Sequence, residues 1–405
     1  MLEVSVKRLA IMIIGLLFAA KCMAGTTHYV SLTGTNNSPF LNWPDASTNI
    51  QHAISASIAG DTVLVSNGTY YLTNQISIAT AITCTSVNGR SVTIVDGNNY
   101  SGKLVTNRCF SLNAIGAVLD GFTITNGYCL GSGGGINVIL GTVRNCLITG
   151  NLAGGVEPNG GGIAFSSTYN AENLVENCIV ENNNSLGSAG GIFGWVGGRV
   201  VNCIIRNNKT RANGGGIRMY GYGWLVKNCL IYNNYNTNSA YFGGGIHIGD
   251  GASNSLVVNC TIVSNYSQNL GGGVYVKDKV DTNTFLNCII YSNACANGSS
   301  TNGNIYDNWY PTNSSPIFSY CCSTSNRTFS SGINNNTTNE PIMTDWANQN
   351  YRLRMRSPCV NTGTNQDWMT NAVDLEGHAR ILNNIVDMGA YETILWQGTI
   401  YKFGF

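Results

Sequence analysis

The sequence predicts an all-β fold, a parallel β-helix solenoid, from three features of the stretch between Gly133 and Asn293. A glycine run ending in a β-branched residue recurs at Gly133-Gly134-Gly135-Ile136, Gly160-Gly161-Gly162-Ile163, Ala189-Gly190-Gly191-Ile192, Gly214-Gly215-Gly216-Ile217, Gly243-Gly244-Gly245-Ile246 and Gly271-Gly272-Gly273-Val274. An Asn-Cys pair follows each run, at Asn145-Cys146, Asn177-Cys178, Asn202-Cys203, Asn228-Cys229, Asn259-Cys260 and Asn287-Cys288. Both signals recur every 25 to 32 residues, a period that marks stacked units touching only their neighbours. Thirdly, apolar residues alternate and no helical stripe is present, so the unit is built of strands.

Within each unit the elements follow in order. The residue after the glycines opens a strand, and the glycines suit a sharp turn or the close approach of another segment. Val143, Val175, Val200, Val226, Val257 or Phe285 stands two residues before the Asn, and Ile148, Val180, Ile205, Ile231, Ile262 or Ile290 three after it. Strict alternation cannot put these and the Cys on one face. A bend at the Asn can, because Asn tolerates the left-handed conformation. Two strands meeting at the Asn, with the one after the glycines, give about three short strands per coil, stacked at about 4.8 Å. The six Asn side chains are expected to form an amide ladder, and the six Cys to point into the core.

These repeats resemble right-handed parallel β-helix proteins of the pectin-lyase-like superfamily, and the Gly-Gly-Ile and Asn-rich pairing is also similar to repeats of polymorphic outer-membrane proteins. The resemblance implies a right-handed coil over most of the chain. It implies no single activity, because this scaffold hosts lyases, hydrolases, adhesins and inert modules.

Residues 1–24 read as a secretory signal, with Lys7 and Arg8 before an apolar Leu9–Ala20 and a cleavage site at Cys22-Met23-Ala24. The expected organisation is a β-helix over 25–310, a closing segment over 311–392 and a tail over 393–405. In 47–59, Ile50, Ala53, Ile54 and Ile58 recur at helical spacing, which predicts a short helix capping the N-terminal end. The segment ending in Val386-Asp387-Met388-Gly389-Ala390-Tyr391-Glu392 resembles the C-terminal part of secreted choice-of-anchor β-helix proteins and is read as a terminal cap. In the tail, Tyr401, Phe403 and Phe405 alternate like the last strand of an outer-membrane barrel. No barrel strands precede them, and they are read as an edge strand.

The chain has a formal net charge of +1 and is 10% charged, which argues against nucleic-acid partners. No stretch after the leader suits a membrane-spanning helix, and a monomer is expected. Fourteen Cys in an exported chain would ordinarily suggest disulfides. Six occupy one repeat position, with parallel side chains at strand spacing, and are expected as buried thiols. Cys295, Cys321, Cys322 and Cys359 lie outside that column, and any bridge is expected among them. Metal-ligand spacings are absent, so no metal site is assigned.

Lyases on this fold need a Lys or Arg base and clustered acids for Ca²⁺; hydrolases need close carboxylates. The repeats offer only scattered acids, Asp120, Glu157, Glu172, Glu176, Glu181, Asp250, Asp278 and Asp281. No cofactor is expected, with Ca²⁺ entering only for a lyase. Alternation after the glycines places two outward columns, Asn137, Ala164, Phe193, Arg218, His247, Tyr275 and Ile139, Ser166, Trp195, Tyr220, Gly249, Lys277. Trp195, Arg218, Tyr220, Tyr222, Trp224, His247 and Tyr275 are the candidate ligand-binding residues, suited to stacking on sugar rings and binding their hydroxyls or carboxylates. Arg218, His247 and Lys277 are the catalytic candidates. The functional expectation is an exported, extracellular or cell-surface module, outer-membrane associated in one variant, that binds glycan or a neighbouring surface without catalysis. A polysaccharide lyase or glycoside hydrolase is the alternative, and a spacer or passenger of a surface protein the third.

Overall fold

The computed structural model describes residues 25–99, 106–166, 173–249, 251–277, 283–297, 305–307, 316–324, 329 and 332–394. Residues 1–24, read above as a signal, and the aromatic residues of the tail lie outside them. The chain forms a right-handed parallel β-helix with strands in an 18-stranded, a 10-stranded and a 7-stranded sheet, plus a separate two-stranded pair. A repeat coil carries four strand segments. In one coil these are Ile192–Gly194 and Arg199–Val201 in the largest sheet, Ile204–Arg206 in the second and Lys209–Thr210 in the third. Each pairs in parallel with its counterpart one coil on, for example Ile192 with Ile217, Ile205 with Ile231 and Lys209 with Tyr235.

Three backbone devices bend the coil. The Asn of each Asn-Cys pair is left-handed, with φ between 49° and 54° from Asn145 to Asn287. That bend carries Val143, Cys146 and Ile148, and their repeats, into one fully buried core. A second left-handed residue follows five positions on, at Gly150, Asn182, Asn207, Asn233, Ser264 and Ser292. The glycine run is the third. Its first residue is left-handed, as at Gly214 (φ 73°). The next is pinned by close approach, since a Cβ on Gly190 would stand 2.4 Å from both the amide nitrogen and the carbonyl oxygen of Lys209. The coil is thus thinnest where the 7-stranded sheet crosses the glycines.

The amide ladder stands in a different column from the one expected. Along Asn145, Asn177, Asn202, Asn228, Asn259 and Asn287, side-chain amide bonds join Asn228 to Asn202 (2.8 Å) and Asn287 to Asn259 (3.2 Å), and Asn145 turns to Asp120. The continuous ladder runs six residues further on, through Asn151, Asn183, Asn208, Asn234, Asn265 and Asn293, with rungs of 2.9–3.0 Å. Each amide also donates to a carbonyl of the preceding coil, as Asn208 does to Val180 (2.8 Å). The corner Asn points its side chain outward, whereas the second turn points its neighbour inward, where polar groups must pair with one another.

The repeat Cys form a buried column with Cys84 and Cys321, and the thirteen described cysteines are free thiols. The Cys146 amide meets the Cys178 sulfur at 3.4 Å, and burial pushes the Cys84, Cys109 and Cys146 thiols above their ordinary range. Cys321, Cys322 and Cys359 are buried, and Cys295 is partly exposed.

At the N-terminal end a helix, α1 (Ile50–Ala56), is shorter than the expected 47–59. Asn49 caps it by accepting from the Gln51 amide (2.8 Å), and Ile50, Ala53 and Ile54 seal the core. Beside it Asp61 is buried, accepting from the amides of Thr26 (2.7 Å) and Ile58 (2.8 Å) and facing His28 at 3.1 Å. Those bonds, led by that from Ile58, hold its carboxyl below the usual range.

The closing segment corrects a second expectation. From about residue 340 it is no end cap but a strap along the flank. Its Met343, Tyr351, Leu353, Cys359 and Met388 form a second core with Leu230, Tyr232, Val263 and Ile289 of the 10-stranded sheet. It also covers three consecutive Asn corners. Asn228 donates to the Val373 carbonyl (3.0 Å), Asn259 to that of Asp387 (3.2 Å) and Asn287 to that of Thr364 (2.9 Å). Arg380, fully buried, bonds Asn228 Oδ1 (3.2 Å), the Gly389 carbonyl (3.0 Å) and Glu392 (3.0 Å). Burial pushes the Glu392 carboxyl up to about 9, with Arg380 acting against it.

Candidate functional site

The strands after the glycines bring the candidate side chains into one column, since Phe193 pairs with Arg218, Arg218 with His247 and His247 with Tyr275. The loops beyond the strands then decide which of them meet solvent. Trp195 is 47% and Tyr222 56% exposed. Trp195 stacks on Tyr220 at 5.3 Å between ring centroids with 27° between planes, and Phe193 supports both edge-on. The Arg218 guanidinium lies 4.4 Å from the Tyr220 ring centroid and hydrogen-bonds the hydroxyls of Tyr220 and Ser188. These residues make a rigid aromatic step with a cation fixed against it, because each ring is braced on a second side chain.

The other candidates do not join that step. Trp224 is 1% exposed. Its loop turns back, its indole N–H donates to the Tyr220 carbonyl (2.7 Å), and its ring packs on Phe165 at 5.6 Å and against Gly194, where a Cβ would stand 2.4 Å from the ring. It is a core residue and not a ligand contact. Tyr275 is also 1% exposed, stacked between Phe242 (4.4 Å) and His247 (5.1 Å). His247 is 2% exposed and held well below its ordinary value, chiefly by burial and next by Arg218 and Lys277. Its imidazole is neutral at pH 7 and shielded, which removes it as a solvent-facing acid. Lys277 is partly exposed. Alternation reads the strand correctly, but the Phe242 loop, which lies over the later coils, is invisible to it.

The acids stay dispersed. Asp120 is engaged by Arg144 and Asn145 (both 2.8 Å), and Glu181 by Arg206 (2.5 Å). Glu172, Asp250, Asp278 and Asp281 lie outside the described residues. Among the described residues no three His, Cys, Asp or Glu side chains converge as metal ligands.

A second concavity went unread in the sequence. A groove of about 770 Å³ follows the Asn corners Asn145, Asn177 and Asn202, from Arg90 at one end to Val373 and Asp374 of the strap at the other. Arg90 crosses its floor and donates to the carbonyls of Cys146 (3.2 Å) and Asn177 (3.1 Å).

No protein-family model matches the chain, and no curated protein sequence matches it. Among solved structures, the crystal structure of pectate lyase Pel9A matches with a TM-score of 0.58 at 16% identity, over 91% of this chain and 97% of that one. A rhamnogalacturonan lyase matches with a TM-score of 0.37 at 14% identity, over 73% of this chain and 87% of that one. The first likeness shows the fold alone, a right-handed parallel β-helix.

Proposed function

We propose that this chain is an exported, non-catalytic carbohydrate-binding β-helix, working outside the cell or at its surface. The observation that carries the reading is the exposed Trp195 face, braced by Tyr220 and Phe193 with Arg218 fixed against Tyr220. An exposed, immobilised indole offers a flat apolar surface to the C–H face of a sugar, and a guanidinium beside it offers paired donors to hydroxyl or carboxylate oxygens. Pre-ordering of the rings spares the entropy of fixing them on binding.

The test incubates residues 25–405 with neutral and acidic polysaccharides, with and without Ca²⁺, and follows retained protein and new chain ends together. Retention without cleavage, weakened at least tenfold by Trp195→Ala, is the expected result. New chain ends would overturn the reading in favour of a lyase or hydrolase, and loss of retention with every polysaccharide would leave the module as a spacer. The pectate lyase likeness is compatible with either chemistry, because it concerns the fold.

A further inference from the structure

The six Asn corners share one backbone conformation and meet two different fates. Asn228, Asn259 and Asn287 are fully buried, and each donates its side-chain amide to a main-chain carbonyl of the strap. The strap returns a bond at Asn287, whose Oδ1 accepts from the Thr364 amide (2.8 Å). Asn145 and Asn177 are exposed and Asn202 is half-buried, although φ at all three is 53–54°. Among the described residues the Asn177 side chain makes no hydrogen bond, and that of Asn202 only accepts, from Asn228. The groove is therefore the upstream continuation of a surface that the protein itself already uses to hold polypeptide main chain.

We propose that this groove docks a partner polypeptide through main-chain carbonyls set on Asn177 and Asn202, as the strap sets its own on the next three corners. Three features define the partner's chemistry. It needs no charge at the contact, because Asp120 is already engaged by Arg144 and Asn145, and Arg90 by two carbonyls. It carries glycine next to the contact, because a glycine with no room for a side chain lies within two residues of two of the strap's three contacts, Thr364 and Asp387. A Cβ on Gly389 would stand 2.6 Å from Thr261 Oγ1, and one on Gly363 3.1 Å from Asn287 Oδ1. It is looped. Carbonyls on one side of a strand recur every ~6.7 Å, whereas coils recur every ~4.8 Å; the strap meets its three corners from three separate segments, at Thr364, Val373 and Asp387, taken out of chain order.

The proposal goes beyond the carbohydrate reading and involves none of its residues. The experiment titrates residues 25–405 with two synthetic peptides copying strap turns, 361–366 and 385–391, each also in cyclised form, and with a neutral oligosaccharide. Side-chain amide signals are followed by NMR. Saturable binding by a peptide is expected, with shifts at the Asn177 and Asn202 amides. Asn177→Gly, which keeps the left-handed turn but removes the amide, should weaken it at least fivefold, and Trp195→Ala should leave it unchanged. No saturation by any peptide, or saturation indifferent to Asn177→Gly, overturns the proposal. So does oligosaccharide binding at these amides in place of peptide.

Discussion

Asn208 and Asn177 are one residue type in two columns of the same coil stack, and their environments give them different weights. Asn208 is buried in the ladder, bonded to Asn183, Asn234 and the Val180 carbonyl. Asn208→Ala leaves several buried polar groups unpaired and should cost about 3 kcal/mol. Asn177→Gly keeps its turn and should change stability by less than about 0.5 kcal/mol. Paired urea denaturation curves measure the difference; equal costs would mean that the ladder is not the stronger column. Asp61 adds a pH dependence. Its folded pKa lies below the ordinary value, so its contribution is present above about pH 4 and is lost as pH falls through the folded value. Asp61→Asn should therefore cost about 2 kcal/mol at pH 7 and progressively less below pH 4, read as converging melting temperatures.

At the scale of the element, the glycine run is a steric requirement of the coil. Gly190 faces the backbone of Lys209 with no space for a methyl group. Gly190→Ala should destabilise by about 3 kcal/mol or more, with hydrogen exchange accelerated first in Lys209–Thr210 and Ile192–Gly194. Ala189, one residue earlier, already tolerates a Cβ at φ 54°, so the run is not uniformly strict. Such elements were legible in the sequence because glycine, Asn and alternation are local signals of backbone bending and burial. The ladder was legible too, since Asn151, Asn183, Asn208, Asn234, Asn265 and Asn293 each lie six residues after an Asn of the Asn-Cys column. The Asn-Cys pair is the more conspicuous signal, but it marks the left-handed corner whose side chain leaves the core. Trp224, His247 and Tyr275 were misplaced for a deeper reason: loop paths, not strand phase, bury them, and no periodicity encodes a loop path.

For the whole molecule, the strap makes the solenoid less one-dimensional than its repeats imply. Its docking was not legible because Asn228, Asn259 and Asn287 meet residues 77 to 145 positions away, and no local pattern records such a meeting. Arg380 anchors it beside buried Glu392. Arg380→Met would leave Asn228 Oδ1, the Gly389 carbonyl and the buried Glu392 carboxyl without their donor and should cost about 3 kcal/mol. Hydrogen exchange should then rise in the strap and in Leu230–Tyr232 while Thr62–Val65 is unaffected; uniform acceleration would count against a local anchor. The strap also bears on how such an array can change length. Its three contacts are matched to three successive corners, so a repeat duplicated between Asn228 and Asn287 would throw them out of step. A repeat duplicated between Asn145 and Asn202 would meet no such constraint and would lengthen the groove by one corner. Lineages of this protein should therefore vary in repeat number upstream of Asn228 and hold it fixed downstream.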